Sequence, residues 1–370
     1  MTRLRHSEST FVRPLAVPEG SIVSVFRVPP EVAGQRLDVF LQSQLRRTSR
    51  TRTQMILRGS AYDPDGRPLR KNDRVRAEQH ILLWRPPWDE DPVPTDIPIL
   101  YEDDHLLVVD KPAHLPVHPT ARYFKNTLIR LLLDARPGAF LSLVHRIDRE
   151  TSGVLIVAKS AAADRHVKRQ LELRDGVEKS YGAITWGVPK EPSRSPPPEI
   201  GGRSGGGPRE AGTTGEEPRE TSARFRYAQS LELDPDNPIK VKMRIGQLPD
   251  AMHAATWFEV KETRTRDGRD YAKVVCDLET GRQHQIRVHL ATLGTPIVGD
   301  KLYGPDEGCF TRNADNELTA DDLALLELPR HALHARRIAF AHPATGERLE
   351  VTAPWPAEIE AFWAGLDPVG

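Results

Sequence analysis

The chain has 370 residues, 52 Lys+Arg balanced by 52 Asp+Glu, and 38% hydrophobic residues. At roughly 100–200 residues per domain the length predicts two domains, and the apolar content excludes a wholly disordered chain. The longest uninterrupted apolar run is Val154-Leu155-Ile156-Val157-Ala158, far short of the ~20 residues that span a bilayer, so no transmembrane helix and no membrane partner are expected.

Residues 1–33 carry little pattern and read as an N-terminal extension. The first 17 include three Arg but no apolar core of a secretory signal. Two cysteines, Cys276 and Cys309, make no disulfide framework and point to a reducing, cytoplasmic setting. Residues 34–86 hold 12 Lys+Arg and 5 Asp+Glu, which concentrates positive charge in one short unit of a neutral chain. Leu37, Phe40, Leu41 and Leu45 recur at helical spacing. A second short helix is predicted from Arg50 to Arg58, stopped by Gly59. Asp63-Pro64-Asp65-Gly66 is a turn signal leading toward a strand at Ile81–Trp84.

Residues 86–98 contain five prolines (86, 87, 92, 94 and 98), so 87–98 reads as a semi-rigid linker by composition. A second, larger domain is expected over 99–363. Its predicted elements begin with a strand over Tyr101–Asp110 and a helix over Thr127–Ala135. A β-rich run follows over Val154–Ala158, then a helix capped by Ser160 and running to Leu173. Residues 191–222 contain 7 Gly, 6 Pro and 7 Ser/Thr, with Ile200 the only large aliphatic. That composition predicts a disordered insertion in a surface loop. Beyond it, Ala272, Val274, Cys276 and Leu278 alternate at strand periodicity. Gln283–Leu293 reads as a helix ended by Gly294. Strands and helices mix without a βαβ repeat, so the expected class is α+β with a largely antiparallel sheet.

Chemistry-bearing residues concentrate in two segments. Val144-His145-Arg146-Ile147-Asp148-Arg149-Glu150-Thr151-Ser152-Gly153 packs ionisable groups into a loop just before an apolar strand, a common place for a site. It reads equally as a solvated turn with Asp148 capping the backbone. The second segment is Gly281-Arg282-Gln283-His284-Gln285-Ile286-Arg287-Val288-His289. Its histidines are five apart, a spacing that does not pair on a helix face, and no H-E-x-x-H is present, so a metal site is not expected. Tyr181, on a strand predicted over Tyr181–Trp186, reads from propensity alone as packing.

Five blocks in order resemble the RluA-type pseudouridine synthases: YEDDHLLVVDKPAHLPVHPT (101–120), HRIDRETSGVLIVAKS (145–160), KSYGAI (179–184), ETGRQHQIRVHLATLGTPIVGDKLYG (279–304) and LPRHALHARRIAFAHP (328–343). More loosely, residues 36–60 resemble the small RNA-binding domain shared with a small-subunit ribosomal protein. The resemblance implies an isomerase with no cofactor, acting on RNA by base flipping. The expected substrate is large-subunit ribosomal RNA ahead of transfer RNA, and the expected state a monomer. It implies Asp148 as the catalytic carboxylate, Tyr181 stacked on the target base and Arg287 paired with Asp148. Arg146 would fill the gap left by the flipped nucleotide, and basic residues including Arg50, Arg52 and Arg58 would hold phosphates. One departure is His114, where the family usually has Gly; a backbone with φ > 0 is expected there.

Overall fold

The structure is a computed structural model that describes residues 11, 13–45, 49–120, 122–174, 176–192, 224–246 and 248–369. The chain divides into two compact units, Met1–Asp89 and Glu90–Gly370.

In the first unit, β1 (Ile22–Arg27), α1 (Leu37–Gln44), α2 (Arg50–Leu57), β2 (Ala61–Tyr62) and β3 (His80–Arg85) follow one another. The sheet order is β1-β3-β2, antiparallel throughout. Residues 1–33 are therefore not all extension, because Ile22–Arg27 is a strand of this unit. Its side chains divide between two cores: Phe26 packs with Leu37, Phe40, Leu41 and Ile81, and Val23 and Val25 pack with Leu82 and Trp84. The turn at Asp63–Gly66 forms, with the Gly66 N–H donating to the Asp63 carbonyl at 3.0 Å. α2 begins at Ser49, whose hydroxyl accepts from the Arg52 N–H.

In the second unit, β4 (Ile99–Glu102) and β5 (Leu106–Lys111) replace the single strand expected over 101–110. The Asp103 carboxylate turns the chain between them by accepting from the His105 and Leu106 N–H groups. There follow α3 (Leu128–Asp134), β6 (Ser142–Leu143), β7 (Ser152–Ala158), α4 (Ala161–Leu173) and β8 (Glu178–Trp186). Then come β9 (Phe225–Ala228), β10 (Leu231–Leu233), β11 (Met243–Ile245), β12 (Ala255–Arg266), β13 (Arg269–Leu278) and α5 (Gln285–Thr292). The last elements are α6 (Gly308–Ala314), α7 (Ala320–Leu326), β14 (Leu333–Ala341), β15 (Arg348–Thr352), α8 (Ala357–Ala364) and β16 (Asp367–Pro368). The fold is α+β. An 11-stranded sheet runs β16-β12-β13-β8-β14-β7-β5-β4, with β15, β6 and β9 attached to β14, β7 and β12. Among the described residues only β14 and β7 pair in parallel; the other pairs are antiparallel.

The proline-rich stretch belongs in part to this second unit. Glu90 accepts from the Lys125 and Asn126 N–H groups, the Tyr123 hydroxyl donates to Asp91, and Val93 and Ile97 pack beside Leu128 and Leu132. β7 is buried along its whole length, as an apolar run covered on both faces requires. At its start Gly153 has φ 111°, and a Cβ there would lie 2.2 Å from the Ala335 carbonyl oxygen of β14. Only glycine lets the strands meet at this point. The expectation for residues 191–222 falls, from 193 onward, outside the described residues.

Candidate active site

Asp148 sits in the loop between β6 and β7, its side chain 24% exposed. Buried polar side chains hold this loop from several directions. The Lys111 ammonium donates to the carbonyls of Pro112, Leu115 and Arg149. The Arg330 guanidinium donates to the Glu150 carbonyl and the Ser152 hydroxyl. Lys301 Nζ grips both Glu150 oxygens at 3.0 and 3.1 Å, and the Thr151 hydroxyl bonds His331 Nε2 at 2.9 Å. Partners of this kind are what keep a buried polar network ordered. His114 precedes Leu115 with φ 64°, the left-handed backbone expected where the family has Gly.

α5 brings up the other half. The chain enters it through His284, itself left-handed at φ 57°, so the helix starts two residues later than its apolar periodicity suggested. Gln285 anchors the entry, accepting from the Thr280 hydroxyl and the Arg282 N–H and donating to the Ala255 carbonyl. Arg287 then projects toward the loop. Its Nη1 donates to Asp148 Oδ2 at 3.1 Å, while Nε and Nη2 hold Asp300 at 2.7 and 2.9 Å. Asp300 is fully buried and also accepts from the Leu302 and Tyr303 N–H groups. The Arg287 guanidinium lies 5.0 Å from the Tyr303 ring centre. The Tyr303 hydroxyl bonds His284 Nδ1 at 2.8 Å and accepts from the Met243 N–H.

The electrostatics follow from this wiring. Burial pushes the Asp148 carboxyl up, but the positive charges around it outweigh burial and hold it below its ordinary value. His284 lies 3.8 Å away, yet burial takes its own pKa down to about 4, so near neutrality it is uncharged and Arg287 is the lasting counter-charge. Burial opposes the Arg287 charge too; Asp300 and Asp148 overcome it and keep the guanidinium protonated. Burial and the nearby Asp148 charge push the Tyr181 phenol up, so it is neutral.

Asp148, Arg146, Tyr181 and Arg287 line one cleft of about 430 Å³, with His145, Lys179, Leu278, Arg282 and His284 also on its walls. That size suits one small planar group. Tyr181 is on β8, opposite Cys276 of β13 and Ala335 of β14. Arg146 is exposed at the cleft. Arg50, Arg52 and Arg58 belong to the other unit. Arg52 and Arg58 are exposed, whereas Arg50 Nε donates at 3.3 Å to the fully buried Asp38, which also accepts from Arg36 and Gln54. Arg50 is thus partly committed within its own unit.

Sequence reasoning did not assign roles to Asp300, His284, Tyr303, Lys111, Lys301 or Arg330. Their signal was the polar and charged side chains within the blocks at 101–120, 279–304 and 328–343. Among the described residues, one trio has metal-ligand spacing, Asp306, Cys309 and Asp322. The Arg312 guanidinium fills its centre, bonding Asp306 at 2.7 Å and Asp322 at 2.6 Å, so a cation already neutralises it. His289 is bonded to the Thr256 hydroxyl and the Gln229 carbonyl, and His334 Nδ1 to the Ser152 hydroxyl. No described helix is long and apolar enough to cross a membrane.

Residues 105–292 match the family model described as RNA pseudouridylate synthase. Over 348 residues the chain is 32% identical to the ribosomal large subunit pseudouridine synthase D of Xanthomonas campestris, covering 92% of this chain and 91% of that relative. It is 32% identical over 341 residues to the protein of the same name from Pseudomonas aeruginosa, covering 90% and 92%. An uncharacterized RNA pseudouridine synthase of Chlorobaculum parvum is 34% identical over 352 residues, covering 88% and 92%. The solved human RNA pseudouridylate synthase domain containing 1 shares the fold, with a TM-score of 0.52 at 24% identity over 75% of this chain and 91% of that one. Fold, family match and full-length relatives agree: the chain belongs to the RluA-type family of pseudouridine synthases, isomerases of uridine in RNA.

Proposed function

We propose that this enzyme converts specific uridines of large-subunit ribosomal RNA to pseudouridine, with Asp148 as its catalytic carboxylate. Support for the substrate comes from relatives named for the ribosomal large subunit that align over about nine-tenths of the chain. The observation that carries the assignment of Asp148 is its pairing with Arg287 at 3.1 Å on the wall of the cleft.

The reaction breaks the bond from C1′ to N1 of uridine and forms one from C1′ to C5, the proton lost from C5 being balanced by one taken up at N1. Nothing is oxidised or reduced. A carboxylate serves as nucleophile at C1′, or as base toward a glycal, only when ionised. At 3.1 Å and an effective dielectric near 20, the bare attraction of the Arg287 charge is about 5 kcal/mol, part of which the Asp300 charge on the same guanidinium cancels. The remainder offsets desolvation worth a few pK units at about 1.4 kcal/mol each. Asp300 fixes the guanidinium so that it needs no reorganisation when substrate enters.

The target base leaves its stack at a cost of a few kcal/mol. Stacking on Tyr181 returns roughly 1–3 kcal/mol, and the exposed Arg146 occupies the gap. Exposed cations of the first unit, Arg52 and Arg58 among them, hold phosphates without reading sequence. We read the enzyme as a cytoplasmic monomer whose two cysteines are buried and unbridged. The test is to map pseudouridines in total RNA from cells with and without this protein. Sites lost only from large-subunit ribosomal RNA support the reading; sites lost from transfer RNA instead contradict it.

A further inference from the structure

Lys179 stands two residues before Tyr181 on β8, on the same face of the strand. It lines the catalytic cleft and also two cavities beside it. The larger of these, about 440 Å³, runs from Lys179, His145 and Arg282 to Lys168 and Arg174 of the α4 end. Glu172 is the one acidic residue on its lining. Lys168 is paired with Asp164 at 2.8 Å and Arg282 Nε donates to the His253 carbonyl. Arg174 is exposed at the left-handed C-cap of α4, with φ 58°.

The other buried cations near the site are answered: Lys111 by three carbonyls, Lys301 by Glu150, Arg287 by two carboxylates. The Lys179 ammonium is partly buried and has no carboxylate or hydrogen-bond partner among the described residues. Burial, with no opposing charge, lowers it to about 8. A desolvated cation without a partner destabilises the free protein, and its natural complement is an anion arriving with the substrate.

We propose that the groove leading from Lys179 toward Arg174 carries the RNA backbone next to the flipped uridine, with Lys179 holding the phosphodiester nearest the target. The proposal rests on the cleft receiving that uridine. Lys179 is on this account a binding residue tied to the stacking position of Tyr181, so that backbone and base are fixed by one strand.

The test measures binding of a short, single-stranded oligouridylate to the full-length enzyme across a salt series, comparing wild type with Lys179→Met and Lys179→Arg. Lys179→Met should weaken binding about tenfold at low salt and reduce the salt slope by about 0.7, the share of one single-strand phosphate. Lys179→Arg should stay near wild type. The melting temperature of free Lys179→Met should equal or exceed that of wild type, since an unpartnered buried charge is gone. Unchanged affinity and slope would overturn the proposal, as would a lowered melting temperature with affinity loss that Lys179→Arg fails to rescue. Inorganic phosphate is the control. If it raises the melting temperature of wild type but not of Lys179→Met while oligouridylate binding is indifferent, the site takes a free anion and the RNA assignment falls. Oligouridylate has no ribosomal sequence, so this outcome is separable from whether ribosomal RNA is the substrate.

Discussion

Arg287 holds Asp148 and Asp300 at the same time, at 3.1 Å through one terminal nitrogen and at 2.7 and 2.9 Å through the other edge of its guanidinium. The two carboxylates are unequal. Asp300 is fully buried and braced by two backbone N–H groups, whereas Asp148 keeps part of its side chain open to the cleft. The geometry separates a buried, anchored carboxylate from one open to the cleft, with a single cation serving both.

That asymmetry predicts a pattern in stability. Arg287→Met leaves two carboxylates without their partner, and breaking a buried pair this way costs roughly 3–5 kcal/mol. Adding Asp300→Asn should restore more of that loss than adding Asp148→Asn, because the more deeply buried orphan is removed. Urea denaturation of these three variants, the two single Asp→Asn variants and wild type, read as two double-mutant cycles, measures it. Equal recovery from either second substitution would contradict the anchoring role of Asp300.

The acid–base behaviour of the site also has a definite sign. Asp148 is held below its ordinary value of 3.8, so its ionised form contributes stability above that pH and loses it as the pH falls through the lower, folded value. His284 is already neutral above about 4. Turnover should therefore be flat between about pH 5 and 6; the next group to titrate is the buried Lys111, lowered by burial to about 7, whose ammonium holds the Asp148 loop. A rate limb between about pH 5 and 6 would show a histidine titrating in the mechanism.

Tyr181 has no hydrogen-bond partner for its hydroxyl among the described residues, and its phenol is neutral. Its proposed contribution is its ring. Tyr181→Phe should keep kcat/KM within a few-fold. Tyr181→Leu should lose about 1–3 kcal/mol of it, the worth of one stacked base. Loss in Tyr181→Phe equal to that in Tyr181→Leu would assign the hydroxyl a chemical part.

In the first unit the three arginines should behave differently. Arg52→Gln with Arg58→Gln should lower the salt slope of RNA binding by about 0.7–0.9 for each phosphate these side chains neutralise, and leave stability alone. Arg50→Gln should also destabilise the unit, since Arg50 donates to buried Asp38. A salt series and a thermal melt of each variant separate the two effects.

Much of this was readable from residue order. The alternation at Ala272–Leu278 became β13 with Ala272, Val274 and Cys276 buried, because a half-buried strand must alternate. Asp148, Tyr181 and Arg287 were named from their motifs and meet in one cleft. What escaped has physical reasons. Ile22–Arg27 pairs with a strand more than fifty residues later, and strand pairing at that separation leaves no local mark. The hairpin between β4 and β5 looks like one strand in the sequence, because its turn is made by the Asp103 side chain and not by Gly or Pro. Asp300, Lys111 and Arg330 are charges whose partners exist only once distant loops pack together. His284 opens α5 in a left-handed conformation that non-glycine residues seldom adopt.

The most direct test is Asp148→Asn, which keeps the shape of the side chain and removes its charge. Pseudouridine formation in large-subunit ribosomal RNA should be abolished, while RNA affinity stays within about tenfold, or 1.4 kcal/mol, of wild type. Measurable pseudouridine formation by this variant would contradict the assignment of Asp148 as the catalytic carboxylate.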